Sequence, residues 1–313
     1  MATITIRQAT LEDKEAILKI HDNVYGGLDY LPAVIDEFFE NQNSTSYVAV
    51  LNDELVGFTN MFLVDDGNTV VSRASRVSPS AEGQGVYKTL HTYALNETTA
   101  KTLAFTSTVD NKSVHTPSFQ RNYTLLQSKL IQSFSSPAFD EECPTEETER
   151  MIVDLHIPSN EEMNTFFDSS ILKSYLFPSN RVFVNWCPFQ LISSNISLMK
   201  RYFRTQNLIY SDVKVDSINQ AHGLLSISTT IRVKNPPFAS HVFIYGTDAK
   251  TLKSHVCAHV NNAKIISKGA RIKFLVIYQQ DIDKDTLIKC FTELGLSIDS
   301  WKSTFYLFEK EIQ

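Results

Sequence analysis

The segment from Thr69 to Leu90 constrains the fold of this chain more than any other. A β-branched run, Thr69 to Val77, reads as an extended strand. It feeds a short loop holding Gly83 and Gly85, and a helical pattern starts at about Gln84 with Val86, Leu90, Tyr93 and Ala94 on one face. Strand, glycine loop and helix in this order suit the binding of an anion. The first amides of a helix have no partner within it and converge on one point, where the macrodipole also favours negative charge. Gly83 and Gly85 let the backbone take up φ > 0 and come close to the anion.

Composition narrows the class. The 313 residues are 42% hydrophobic and 20% charged, the make-up of one large or two ordinary globular domains. A net charge of −6 with no long basic run argues against a nucleic-acid-binding face. Cys143, Cys187, Cys257 and Cys290 are widely spaced without a C-x-x-C pair, so neither a zinc site nor a disulfide framework is expected. Met1 to Arg7 reads as an alternating strand, not as an apolar leader, and no apolar run approaches a membrane span. A cytoplasmic protein with no membrane or nucleic-acid partner is the expectation.

Thr10-Leu-Glu-Asp13 has the capping-box pattern and opens a helix predicted from about Leu11 to Asn23. A polar-aromatic loop containing Tyr25, Asp29 and Tyr30 follows. Pro32 suits the first turn of a second helix, about Ala33 to Asn41. Tyr47 to Leu51 and Leu55 to Val64 read as strands around a turn at Asn52-Asp53, and Asp65-Asp-Gly-Asn68 turns into the strand from Thr69. Leu103 to Val109 is a further strand, and Val114 to Tyr123 a further helix.

This order, with Gly57-Phe58 on a hairpin strand and Arg76-Val-Ser-Pro79 running into Glu82-Gly-Gln-Gly-Val86, resembles the acyl-CoA N-acyltransferase (GNAT) superfamily. Glu82 stands where its motif has Arg or Gln, and Tyr87 where it has Gly or Ala. Gly27-Leu-Asp-Tyr-Leu-Pro32, Val64-Asp-Asp-Gly-Asn-Thr-Val-Val71 and Asn122-Tyr-Thr-Leu-Leu-Gln-Ser128 are also similar to segments of the vertebrate histidine N-acetyltransferase group. The resemblance covers roughly residues 3 to 135. It implies an α/β (α+β) GNAT fold over 1–135; the segment 136–150, rich in Ser, Pro, Asp and Glu, reads from its composition as a linker. In 151–313 the order helix, strand, helix, strand repeats the back end of the first half. The predicted elements are Asp248 to Ile266, Arg271 to Tyr278, Asp285 to Leu294 and Ser303 to Glu309. That makes it a degenerate second copy, and without a Gly-x-Gly it is not expected to hold a CoA pyrophosphate.

The resemblance implies acetyl-CoA as co-substrate and a small-molecule amine as acceptor. The diphosphate would sit on the amides of Gly83, Gln84, Gly85, Val86, Tyr87 and Lys88, with Glu82 beside them, and the thioester oxygen on the N–H groups of Val77 and Ser78. For the thiolate the candidate acids are His115, Ser118 and Tyr123. For the ammonium the candidate bases are Asp65, Asp66, Asp110 and His115. Period 2 places Arg73 and Ser75 on one strand face and Arg76 on the other, which makes Arg73 the expected carboxylate clamp. Tyr25, Asp29 and Tyr30 fall in the loop expected to wall the acceptor site. An amino-acid acceptor, histidine first, is the leading reading; another amine, or a non-catalytic acyl-CoA-binding protein, are its competitors.

Overall fold

Alternation at the N-terminus produces the edge strand β1 (Ile4–Gln8), which pairs antiparallel with β2 (Ser44–Leu51) in a computed structural model of the chain. The structure describes residues 3–21, 24–139, 155–204 and 207–312. Two compact units emerge: Met1–Phe105 with Glu309–Gln313, and Thr106–Phe308.

In the first unit β2 pairs antiparallel with β3 (Glu54–Val64), and β3 with β4 (Thr69–Val77). The Asp65–Gly67 turn joins β3 to β4, as expected from its residues. The first helix is shorter than its sequence pattern: a 3-10 turn, Leu11–Asp13, leads into α1 (Lys14–Lys19). Residues 22 and 23 of the predicted helix lie outside the described residues. Thr10 N donates to Asp13 Oδ2 at 2.9 Å, and the Arg7 guanidinium forks onto the same carboxylate at 2.6 and 2.7 Å. Pro32 sits in the first turn of α2 (Leu31–Glu40), which buries Leu31, Val34, Ile35 and Phe38.

Strand β4 then runs parallel to β5 (Thr102–Thr108), but their register covers only Thr69–Val71 against Thr102–Ala104. From there β4 continues to Val77. The helix α3 (Val86–Asn96) crosses back over β3 and β2. It comes so close that a Cβ on Gly57 would lie 3.0 Å from Val86 Cγ1 and 3.1 Å from Ala49 Cβ, which explains the glycine in that strand.

One feature of β4 overturns an expectation. Phe58 faces Arg76 and Asn60 faces Arg73, so three steps on β4 oppose two on β3. The extra residue is a β-bulge with Ala74 at φ 51°. Its amide donates to the Tyr30 hydroxyl oxygen at 3.1 Å. The bulge breaks period 2: Arg73 and Arg76 share one face, and Ser75 joins Ser72 on the other. There Ser75 Oγ lies 2.7 Å and Ser72 Oγ 3.3 Å from Thr59 Oγ1.

The second unit opens with α4 (Pro117–Asn122) and β6 (Thr124–Ser135). Its sheet sets β6 antiparallel to Ile272–Tyr278, that strand parallel to Phe238–Tyr245, and this one antiparallel to Leu225–Arg232. The parallel pair stays in register for six residues, Phe238–Phe243 against Ile272–Ile277. This half repeats the strand-helix-strand order of the first without the opening after three pairs. Leu252, Val256, Val260 and Ala263 of the helix Leu252–Ser267 bury against Phe134, Phe274 and Phe291. Cys187, Cys257 and Cys290 are buried free thiols. The predicted linker lies outside the described residues from 140 onward, as does Cys143.

Candidate active site

The loop between β4 and α3 has the form its glycines require. Gly83 (φ 75°) and Gly85 (φ 79°), the N-cap of α3, both occupy the left-handed region. Gln84 Nε2 donates to Ser80 O at 3.1 Å, and the Ser78 and Ser80 hydroxyls are 2.8 Å apart, which fixes the loop. The first helical bond runs from Thr89 N to Gly85 O at 3.0 Å. The amides of Val86, Tyr87 and Lys88 therefore point out of the helix end. A Cβ added at Gly83 or Gly85 would meet nothing within 4 Å, so the space over the loop is open. Glu82 and Lys88 are both exposed, which leaves the Glu82 carboxylate in solvent.

The amide pair at the end of β4 divides. Ser78 N donates to Val56 O at 2.7 Å and is engaged by the sheet. Successive amides of a strand point to opposite edges. Val77 N–H is therefore directed away from β3, to the edge of β4 that β5 leaves after Val71.

Above the Arg73–Arg76 face lies the loop with Tyr25, Asp29 and Tyr30. Asp29 does not present a free carboxylate there. Arg76 Nη1 donates to Asp29 Oδ2 at 2.7 Å and Nη2 to Oδ1 at 3.1 Å, with both side chains buried. Tyr30 supports the bulge, and burial raises its hydroxyl pKa. Tyr25 is 61% exposed. Arg73 is buried, its guanidinium 4.3 Å from the Phe38 ring centroid and 4.1 Å from that of Phe62. Its Nε and Nη2 donate to Asn60 Oδ1 at 2.9 and 2.6 Å. A carboxylate clamp needs an accessible fork, so this placement makes Arg73 an interior residue of the first unit. Asp66 is exposed on the turn before Thr69, at the other end of β4 from Val77, roughly 25 Å away at the usual rise per residue. That distance removes it as a base for chemistry at Val77.

Within the second unit a cavity of about 300 Å³ is lined by Val114, His115, Gln120, Tyr123, Leu125, Tyr306 and Phe308. His115 and Tyr123 meet here; Ser118 does not line the cavity. His115 Nε2 lies 2.7 Å from Val109 O. A carbonyl only accepts, so Nε2 carries a proton in this contact, and the lone pair of a neutral His115 ring lies on Nδ1. Tyr123 stacks on Phe119 at 4.3 Å, Phe119 meets Phe308 edge-on at 4.9 Å, and burial raises the Tyr123 pKa. Asp110 accepts from Ser303 Oγ at 2.6 Å and is engaged structurally. Tyr306 and Gln120 had no local signal in the sequence; the last strand, Ser297–Glu311, brings Tyr306 in.

A second constellation has triad-like geometry but no access. His255 lies 3.1 Å from Asp212 Oδ1 through Nε2 and 2.6 Å from Ser226 Oγ through Nδ1, and His259 Nε2 lies 2.7 Å from that same oxygen. All four side chains are buried, and burial pushes the His259 pKa down to about 3. This is an interior hydrogen-bond chain. Among the described residues no group of three His, Cys, Asp or Glu is placed to hold a metal, and no helix is long and apolar enough to cross a membrane.

Comparison with known proteins adds independent findings. The model of the acetyltransferase (GNAT) family matches residues 14–115, and that of the histidine N-acetyltransferase C-terminal domain matches 153–278. A histidine N-acetyltransferase of Xenopus tropicalis is 21% identical over 97% of this chain and 94% of its own length. One from Oreochromis niloticus is 33% identical over 78 residues, 25% of this chain and 23% of that protein. Among solved structures, a tandem GNAT protein from the clavulanic acid biosynthesis pathway superposes with a TM-score of 0.56 at 12% identity, covering 99% of this chain and 98% of the other.

Proposed function

The chain belongs to the GNAT superfamily of N-acetyltransferases, and from that premise we propose that it transfers the acetyl group of acetyl-CoA to the α-amine of a small amino acid, histidine first, by direct transfer in a ternary complex. One geometric observation carries the reading: β4 loses its β5 partner after Val71, directs the Val77 amide to that edge, and leads into an open glycine loop at the start of α3. The likeness to a histidine N-acetyltransferase along nearly the whole chain supports histidine as the acceptor.

In the first unit the amides of Gly83 to Lys88 would hold the diphosphate, and Gly83 and Gly85 leave the room it needs. Val77 N–H would donate to the thioester oxygen as negative charge develops there. The acceptor nitrogen must arrive neutral. As its bond to the acetyl carbon forms, the C–S bond breaks and the thiolate takes a proton. Among the candidate bases read from the sequence, His115 is the one proposed for the ammonium proton. Among the candidate acids read from the sequence, Tyr123, whose pKa burial raises, is the one proposed to protonate the thiolate. Positioning supplies most of the rate, as in other two-substrate transfers. Calorimetric titration with acetyl-CoA tests the donor half of this reading: saturable binding is expected, and a protein that binds no acetyl-CoA contradicts it.

A further inference from the structure

Between Val71, where the register with β5 ends, and Val77, strand β4 carries the bulge at Ala74. A bulged strand bends and gains twist, which turns its end away from the line it followed. The second unit provides a contrast within the same chain. Its strand Phe238–Tyr245 pairs with Leu225–Arg232 over eight residues without a register shift, and with Ile272–Tyr278 over six. The strand with a bulge leaves its parallel neighbour after three pairs; the strand without one stays paired.

The bulge has to be held. Ala74 sits at φ 51°, in the left-handed region that is costly for a residue with a Cβ. It is 4% exposed, so both of its backbone polar groups need partners within the protein. Side chains supply both. Ala74 N donates to the Tyr30 hydroxyl oxygen at 3.1 Å, and Ala74 O accepts from Arg76 Nε at 3.1 Å. Arg76 is in turn forked onto Asp29, the residue before Tyr30. Tyr30 is the N-cap of α2. The bulge is thus braced from one place, the segment that enters α2.

We propose that Tyr30 is a positioning residue for acetyl transfer: by accepting from the Ala74 amide it keeps the bulge in place, and with it the aim of the Val77 N–H at the edge where the thioester oxygen would lie. Asp29 acts beside it through Arg76. The inference rests on the acetyl-CoA reading above. It gives Tyr30 a role in the donor half of the site and not in the acceptor wall expected from its loop.

The test measures CoA release with histidine as acceptor, and acetyl-CoA binding by calorimetry, for the full chain and for Tyr30→Phe. This variant keeps the ring and removes one oxygen, so the bulge amide loses its acceptor. Its kcat is expected to fall about 10- to 100-fold, the scale of a displaced oxyanion donor. The Kd for acetyl-CoA and the KM for histidine should stay within about threefold of the wild type, because the Val77 contact strengthens only as charge develops. A lower melting temperature with kcat unchanged overturns the proposal and leaves Tyr30 a structural residue only. A raised KM for histidine with kcat unchanged overturns it too, since Tyr30 would then touch the acceptor. Ala74→Gly supplies a second arm. Glycine takes up φ 51° without strain, so Tyr30→Phe should cost less kcat in that background than in the wild type. Equal losses in both backgrounds show that Tyr30 does not act through the bulge, and overturn the proposal. If the wild type neither binds acetyl-CoA nor acetylates histidine, the reading above fails, and the brace with it. A wild type that turns over histidine, matched by Tyr30→Phe, sinks the brace alone.

Discussion

Asp29 and Arg76 meet fork to fork in the interior of the first unit, Nη1 2.7 Å from Oδ2 and Nη2 3.1 Å from Oδ1. Asp29 Oδ1 also accepts from Leu31 N at 3.1 Å, which ties the start of α2 to β4. Removing one partner leaves the other as an uncompensated buried charge. Asp29→Ala should therefore cost about 3–5 kcal/mol, read as a lower urea midpoint. The double variant Asp29→Leu with Arg76→Met should recover most of that loss. An Asp29→Ala protein as stable as the wild type would show that the pair contributes nothing.

Arg73 lies between Phe38 and Phe62 and donates to Asn60. Arg73→Ala should lower stability by about 2 kcal/mol or more, since it opens a cavity and leaves the buried Asn60 without its donor. Acetyl-CoA binding by the folded fraction should stay near normal. The opposite pattern, an unchanged melting temperature with a raised KM for the amino acid alone, would put the substrate carboxylate on Arg73.

His115→Gln keeps a side-chain N–H that can donate to Val109 O and removes the basic nitrogen. Turnover should fall by about 10²-fold or more while the Kd for acetyl-CoA holds. A kcat within a few-fold of the wild type would remove His115 from proton transfer.

Lys129 is 1% exposed, 4.3 Å from the Tyr245 ring centroid, and its ammonium has no hydrogen-bond acceptor among the described residues. Burial lowers its pKa from 10.5 to about 7. Between those values the unfolded chain holds a proton that the folded chain has released, so stability rises with pH across that window and is lowest below about 7. Lys129→Met should be more stable near neutral pH by on the order of a few kcal/mol, with a flatter stability profile from pH 7 to 10. A less stable variant with an unchanged slope would show that the ammonium is satisfied in the fold.

How far the sequence reached depended on range. The loop from Ser78 to Val86 was legible because glycine spacing and helical period are local signals, and the structure places Gly85 as the N-cap. The faces of β4 were not, because period 2 assumes a regular strand and the bulge at Ala74 inserts a residue. Asp29 read as a ligand-binding acid because its partner Arg76 lies 47 residues on. Tyr306 shares a cavity with His115 only through the packing of the last strand, which no local pattern encodes.

The central claim is acetyl transfer to free histidine. Its most direct measurement is release of CoA from acetyl-CoA by the full chain over a panel of free amino acids, polyamines and a peptide with a free N-terminus, with the product identified by mass. Histidine should give Nα-acetylhistidine with a kcat/KM at least about tenfold above the next amino acid, a difference of roughly 1.4 kcal/mol in transition-state binding. Turnover of no free amino acid, with or without turnover of the other amines, would contradict it.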